Sequence, residues 1–148
     1  IALSAIRISV LRSKPGININ FDPETSLSFE GDSGPYLMYT HARCCSLLAK
    51  GRQLGFTPVF TSCDITLLER DLARFAFVVK ESIETLQPQK LVSYLFGIAQ
   101  LFNSYYATNQ IISDDRIVSE HRLMVTKRTK FVINEALSIL GIAAPEEM

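Results

Sequence analysis

We predict an all-α helical bundle of about five principal helices from three features of the sequence. Apolar residues recur every three or four positions in most of the chain, which is the spacing of a buried helix face. Proline, serine or aspartate stands where most of these segments begin, and glycine separates or ends several of them. The chain has 148 residues, of which 47% are hydrophobic, and this is enough for one domain with its own core.

The segment that organises this prediction is residues 27–50, LSFEGDSGPYLMYTHARCCSLLAK. Residues 31–34 do not sustain a helix at low cost, whereas Pro35 suits a first helical turn. We therefore predict a helix from Pro35, with Ser33 or Gly34 as its cap. At about 100° per residue, six residues fall on one arc that should be buried. These are Leu37, Met38, His41, Cys44, Cys45 and Leu48.

A second arc of the same helix is aromatic and cationic. It carries Tyr36, Tyr39, Thr40, Arg43 and Lys50. Tyrosine rings stack on splayed bases, and a guanidinium binds phosphate or stacks on a ring itself. This arc is a candidate nucleotide-binding surface. The alternative is an ordinary half-exposed amphipathic helix, because Tyr and Arg are common beside a buried face.

The N-terminal segment predicts a first helix over residues 2–12, where apolar residues at helical spacing are flanked by arginines. Residues 13–22 contain proline, glycine and a short apolar alternation, so we expect a loop with a brief extended piece. Asp22 followed by Pro23 is typical of a helix start. These two residues predict a short helix that ends at about residue 29.

The middle of the chain predicts a loop and two further helices. In residues 51–63 the apolar residues follow no sustained helical period, so we expect a loop there. Asp64 is the candidate cap of one helix that continues to about residue 86. Pro88 opens the next helix, whose apolar arc is that of a core helix. Its C-terminal end carries side chains that could stack on bases or read their edges: Asn103, Tyr105, Tyr106, Asn109 and Gln110. Taken alone, a tyrosine pair at a helix end is also typical of packing at the rim of a core.

The last helix is predicted from a turn and cap at residues 113–115 to about residue 140, with Gly141 ending it. Between His121 and Asn134 it holds no acidic residue and four basic ones. These are Arg122, Lys127, Arg128 and Lys130. Such a strip can hold phosphates at about one ionic contact per side chain. The alternative is that these charges only keep the surface soluble.

Composition limits the classes of function. The 15 basic and 15 acidic residues balance, so nucleic-acid binding would need local segregation of charge. Three cysteines, two of them adjacent, make no disulfide framework and indicate a reducing compartment, by default the cytoplasm. No run approaches the ~18 apolar residues of a membrane span, so we expect no membrane partner. The first residue is Ile within a predicted helix, and we expect a fragment of a longer polypeptide.

The sequence contains none of the common catalytic or metal-binding motifs. There is no glycine-rich phosphate loop, GxSxG elbow or HExxH pair. His41, Cys44 and Cys45 lie close together on one predicted helix, but adjacent cysteines point about 100° apart and do not readily ligate one ion with the histidine. We interpret these three as core residues and expect no catalytic residue and no metal ligand.

Residues 28–43, SFEGDSGPYLMYTHAR, resemble the SFEG-N/D-SGPYLQYAHAR segment that opens the all-helical anticodon-binding domain of arginyl-tRNA synthetases. Met38 stands where that family commonly has Gln, and Thr40 replaces an Ala. Residues 4–7, SAIR, resemble the DALR motif that names the domain, INFD resembles IDFD, and FNSYY resembles a helix end that faces the anticodon. The C-terminus resembles the pattern LLGI.APE-R-M, with Glu147 where Arg is usual.

The resemblance implies a class Ia aminoacyl-tRNA synthetase anticodon-binding domain, with a helical bundle over residues 23–148 and the end of a connecting helix or linker over residues 1–22. It implies that tRNA(Arg) and a catalytic domain of the same polypeptide are partners, in a monomer. The whole arginine-tRNA ligase would use ATP with magnesium and arginine, and this fragment would hold no cofactor. We assign anticodon binding to Tyr36, Tyr39, Arg43, Tyr105, Asn109 and Met148. We assign phosphate contacts to Arg122, Lys127 and Lys130.

Two other functions are compatible with a helical domain of this kind. A cysteinyl-tRNA synthetase or the β subunit of the glycyl enzyme has a similar helical domain, although the SFEGDSGPY run argues against both. A non-catalytic bundle could instead dock another protein through its tyrosine-rich surface. Binding of cognate tRNA and of a transcript altered in the anticodon separates these cases, because a protein-docking module should show no anticodon preference.

Overall fold

The computed structural model is all-helical over the residues it describes, which confirms the predicted fold class. The described residues are 1–19, 21–61 and 64–148. In chain order their helices are α1 (Ala2–Leu11), α2 (Pro23–Leu27), α3 (Gly34–Gln53), α4 (Leu67–Ala73), α5 (Phe75–Glu84), α6 (Pro88–Thr108) and α7 (Arg116–Ile139). The predicted loops that include Asn20, Ser62 and Cys63 fall partly outside the described residues.

The hydrophobic core lies between the three long helices α3, α6 and α7, which all pack on one another. Leu37 of α3, Phe102 of α6 and Leu137 of α7 are fully buried in it. Two shorter helices, α4 and α5, close one side of the core through Leu68 and Val78. This packing holds the C-terminal end of α6 beside the first half of α3.

The first helix crosses the start of α3 at close range. A Cβ atom added at Gly34 would lie 2.6 Å from both the carbonyl carbon and the carbonyl oxygen of Ser4. Only a residue without a side chain lets these two backbones meet so closely. Ile8 of α1 enters the common core. The proposed division of the chain after residue 22 stays a prediction.

Local capping confirms where three of the helices begin. Ser33 Oγ accepts a hydrogen bond from the Tyr36 backbone N–H at 3.1 Å, so Ser33 is the cap of α3. Asp22 caps α2 and Asp115 caps α7 in the same way, each through a side-chain oxygen 3.1 Å from a backbone nitrogen. Gly141, with φ +72°, follows the end of α7 in the left-handed conformation.

The predicted single helix capped by Asp64 is wrong. Thr66 is the cap, and it forms a capping box in which its hydroxyl accepts from the Glu69 N–H at 3.2 Å while a Glu69 carboxylate oxygen accepts from the Thr66 N–H at 2.8 Å. The helix then breaks at Arg74, where α4 ends and α5 begins. The Tyr94 hydroxyl of α6 donates to the Asp71 carbonyl oxygen at 2.8 Å beside this break, so a tertiary contact helps to tighten the turn.

The predicted buried face of α3 is largely confirmed. Leu37, Met38, His41 and Cys44 are buried, and Cys45 and Leu48 are half-buried. The assignment of Thr40 to the exposed arc is wrong, because its exposed fraction is 0%. Its hydroxyl donates to the Tyr36 carbonyl oxygen at 2.9 Å and accepts from the Asn103 amide at 3.2 Å, since α6 crosses over it.

Candidate nucleic-acid interface

The guanidinium of Arg43 lies between two tyrosine rings where α3 meets the end of α6. Its central carbon is 4.7 Å from the ring centroid of Tyr39 and 5.0 Å from that of Tyr106. One terminal nitrogen donates to the Tyr39 hydroxyl at 3.1 Å, and the other donates to the Asn103 side-chain oxygen. Two rings and two hydrogen bonds therefore hold this cation in one orientation.

The amide of Asn103 connects the two helices. Its oxygen accepts from Arg43, which can only donate, so its nitrogen faces the opposite way. That nitrogen donates to the Tyr36 hydroxyl at 2.8 Å. We call Tyr36, Tyr39, Arg43, Asn103 and Tyr106 the Tyr–Arg cluster. Since neither Tyr36 nor Tyr39 is fully buried, the cluster forms a rigid, partly exposed surface of rings, amide and guanidinium.

The C-terminal residues 142–148 return from α7 to the side of α3. The backbone N–H of Ile142 donates to the Leu137 carbonyl oxygen at 2.8 Å, and Ile142 itself is buried. The Pro145 carbonyl oxygen lies 2.7 Å from Nδ1 of His41. These contacts bring the last three residues of the chain beside the first turns of α3.

A cavity of about 470 Å³ lies between this C-terminal tail and α3. It is lined by Ile1, Phe29, Met38, Tyr39, Pro145, Glu147 and Met148. The Phe29 ring meets the Tyr39 ring edge to face, with centroids 6.5 Å apart. Because Tyr39 belongs to both structures, the cavity and the Tyr–Arg cluster form one continuous surface. Its volume and apolar lining suit a flat ring such as a nucleobase.

The predicted phosphate-binding residues on α7 are in three different environments. Arg122 donates to the Gln110 carbonyl oxygen at 2.7 Å, and Lys130 pairs with Glu146 at 3.2 Å. The Lys127 side chain is exposed and forms no hydrogen bond or ion pair within the ranges that the structure describes. Lys127 is therefore the lysine of the strip whose charge is least compensated by a protein carboxylate.

The thiols of α3 are poor nucleophiles and poor ligands. Burial raises the pKa of the Cys44 thiol well above its ordinary range, and burial also raises the pKa of Cys45. Both therefore stay protonated at neutral pH. Across the described stretches of chain, no group of three or more His, Cys, Asp or Glu side chains is placed to hold a metal ion. No helix in those stretches has both the length and the apolar character needed to cross a membrane.

Comparison with protein families gives a match over most of the chain. Residues 37–148 match the family described as the DALR anticodon binding domain. The chain belongs to this family. The match contains most of α3, all of α6 and α7, and the C-terminal tail, which together carry the Tyr–Arg cluster except for Tyr36.

The relatives of this DALR domain are arginine–tRNA ligases. The chain is 34% identical to the enzyme of Pyrococcus furiosus and 35% identical to that of Methanospirillum hungatei, in each case over its whole length. The fold matches that of Thermus thermophilus arginyl-tRNA synthetase with a TM-score of 0.89 and 34% identity, over 99% of this chain. The domain spans 25% and 27% of the two relatives' lengths and 26% of the solved chain.

The structure brings together four of the six residues to which anticodon binding was assigned. Tyr36, Tyr39 and Arg43 belong to the Tyr–Arg cluster, and Met148 shares the cavity with Tyr39. Their roles as anticodon contacts in the DALR domain stay predictions.

The other two assigned residues lie together at the end of α6. Tyr105 is half-buried and packs against the core, and the Asn109 amide donates to the Tyr105 carbonyl oxygen at 2.9 Å. The contacts that define the Tyr–Arg cluster do not include them. Anticodon binding by Tyr105 and Asn109 also stays a prediction.

Sequence reasoning passed over three residues of this surface. Asn103 and Tyr106 are among the candidate base-contacting residues at the end of α6 but not among the six to which anticodon binding is assigned, although their spacing of three places them on one helix face. Phe29 lies just before the glycine break, where the sequence predicts only the end of a short helix. Met38 and Glu147, which both depart from the family pattern, line the cavity of this DALR domain.

Proposed function

We propose that this domain binds the anticodon loop of tRNA(Arg) and so positions that tRNA for arginylation. The observation that carries the proposal is the continuous surface formed by the Tyr–Arg cluster and the tail cavity. Single-stranded RNA loops are recognised by stacking splayed bases on aromatic or guanidinium planes and by hydrogen bonds to base edges. Rings, a fixed guanidinium and an apolar cavity of suitable volume all occur on this one surface.

The two parts of the surface would act differently. The cavity between Tyr39 and Met148 would take an unstacked base, with Phe29 along its side. Arg43 has five N–H donors in a planar fork, and its two contacts to Tyr39 and Asn103 leave further donors for a phosphate or a base edge. Because Arg43 is already held in place, little side-chain entropy would be lost on binding.

The chemistry of arginylation would occur elsewhere in a longer polypeptide. A catalytic domain would use ATP with magnesium and arginine in the cytoplasm, and this domain would supply binding energy and orientation without a cofactor of its own. One face of α1 supports attachment to such a partner: Leu3, Ile6 and Val10 recur at helical spacing and are 59%, 50% and 45% exposed. We propose a monomeric enzyme in which this face packs on another part of the same polypeptide.

Anticodon preference is the direct test of this function. We expect the chain to bind a tRNA(Arg) transcript at least about tenfold more tightly than the same transcript with its anticodon changed, which corresponds to about 1.4 kcal/mol. Filter binding at one fixed salt concentration measures both dissociation constants. Equal constants would overturn the proposal and favour a bundle that docks another protein.

The salt dependence of binding tests the strip on α7. The Lys127→Gln substitution should reduce the magnitude of the slope by about one unit when the logarithm of the tRNA association constant is plotted against the logarithm of the salt concentration. The reason is that one phosphate contact and its counterion release are lost. Lys80→Gln is the matched control, since Lys80 is an exposed lysine of α5 paired with Glu84 at 3.8 Å. A slope that stays the same in the Lys127 variant would remove this residue from the RNA surface.

A further inference from the structure

The imidazole of His41 is buried in the interior of the bundle and has one short polar contact. The ring is 1% exposed, and Nδ1 lies 2.7 Å from the carbonyl oxygen of Pro145, 104 residues further along the chain. A carbonyl oxygen only accepts hydrogen bonds, so Nδ1 must carry the proton and donate it. The other nitrogen, Nε2, is buried and has no hydrogen-bond partner among the residues that the structure describes.

The surroundings keep this imidazole neutral. The pKa of His41 lies below its ordinary value, chiefly because burial disfavours the charged ring. The ionisable groups near it are Cys45 on the same helix, Lys130 on α7 and Glu146 in the tail. A second proton would have to enter at Nε2, for which the described part of the chain offers no acceptor. The ring is therefore fixed as the Nδ1–H tautomer that the Pro145 contact requires.

Other attachments of the tail are weaker or lie further from its end. Ile142 holds only the beginning of the tail, directly after α7. The ion pair of Lys130 with Glu146 is largely in water, since the Glu146 side chain is 77% exposed, and such pairs contribute little. Within the described residues, the contact to Pro145 is the last hydrogen bond before Met148 that is at least partly buried.

We propose that His41 is a positioning residue that holds the C-terminal tail so that Met148 stays against Tyr39. Two residues separate the Pro145 anchor from Met148, and this short span limits how far Met148 can move from the cavity. The recognition part of this inference rests on the proposed function, whereas the anchoring part does not. His41 acts on RNA only through the tail, because its ring is buried away from the surface.

The side chains of Asn and Gln provide a matched pair of substitutions. The amide nitrogen of Asn can take the place of imidazole Nδ1, whereas the longer Gln places its amide where Nε2 was and loses the contact to Pro145. We expect His41→Gln to release the tail and His41→Asn to retain it. Lys130→Gln removes the ion pair with Glu146 and is expected to leave the tail in place.

The chain has only three methionines, and the methyl resonance of Met148 gives a direct signal for the tail. With ¹³C-labelled methionine methyl groups, the Met148 resonance of the wild-type chain should be shifted by the Tyr39 and Phe29 rings that line its cavity. In His41→Gln it should move to the random-coil position, whereas Met124 on α7 should stay unchanged as an internal reference. If the Gln variant loses its helical circular dichroism, His41→Leu, which keeps apolar packing, replaces it.

Binding measurements separate the two parts of the inference. We expect His41→Gln to lose most of the preference for the cognate anticodon and His41→Asn to restore it. A Met148 resonance that stays at its wild-type position in folded His41→Gln protein would overturn the anchoring role, whatever the affinity. A released tail with full anticodon preference would overturn its role in recognition. If wild-type protein has no anticodon preference, the proposed function fails, and the methyl resonance still tests the anchor.

Discussion

Gly34→Ala is expected to lower the free energy of unfolding by about 2–4 kcal/mol, because the new methyl group would overlap the backbone of α1. The distances are 2.6 Å to the Ser4 carbonyl carbon and 2.6 Å to its oxygen. Backbone atoms cannot move aside as a flexible side chain can, so α1 as a whole would have to shift. Chemical denaturation followed by circular dichroism measures the difference.

Gly97→Ala is the matched control for this prediction. Gly97 lies in the interior of α6, and a Cβ atom there would have nothing within 4 Å. We expect this substitution to raise the free energy of unfolding by about 0.5–1 kcal/mol, since alanine is the better helix former. The two variants thus make the same chemical change with opposite expected signs. A Gly34 variant as stable as wild type would show that α1 does not pack so closely on α3.

Arg43→Ala is expected to raise the dissociation constant for the cognate tRNA by about 10- to 100-fold, in the range of strong binding residues. The substitution removes a cation held between two rings and leaves the Asn103 side-chain oxygen without its donor. The proposed RNA contact and the orientation of Tyr39 would both be lost. Filter binding measures the constant, and circular dichroism checks that the helices remain.

Two further variants show whether the geometry or only the charge of Arg43 matters. Arg43→Lys keeps the charge but lacks the planar fork, and we expect it to recover only a small part of the affinity. Arg70→Ala, at an exposed arginine of α4, removes the same charge away from the Tyr–Arg cluster. We expect it to bind like wild type. An Arg43→Ala variant whose dissociation constant equals that of Arg70→Ala would exclude the cluster from RNA binding.

Local signals in the sequence were sufficient for most helix positions. The glycines before Pro35 and the serine that caps α3 are adjacent in the chain, so their effect on the backbone needs no distant contact. The same holds for Asp22 and Asp115. The error at Asp64 was also local, because the Thr66 and Glu69 capping-box pair was present in the sequence two residues later.

Other features could not be predicted because they depend on which helices lie side by side. The exposed arc assigned to Thr40 assumed an isolated helix, whereas α6 covers that residue completely. The break at Arg74 accompanies a hydrogen bond from Tyr94 on a later helix. Asn103 became central for the same reason, since its amide connects partners that are 60 or more residues away in the chain.

The sequence by itself determined the all-α class, most helix starts and the residue types available for binding RNA, because periodicity and capping act over a few neighbouring residues. Only the tertiary structure decided which of those residues act together. The packing of α3 against α6 and α7 joins Tyr36, Arg43 and Asn103, and the contact of His41 with Pro145 brings Met148 to Tyr39. Such groupings depend on distances between separate helices, and no spacing along a single helix specifies them.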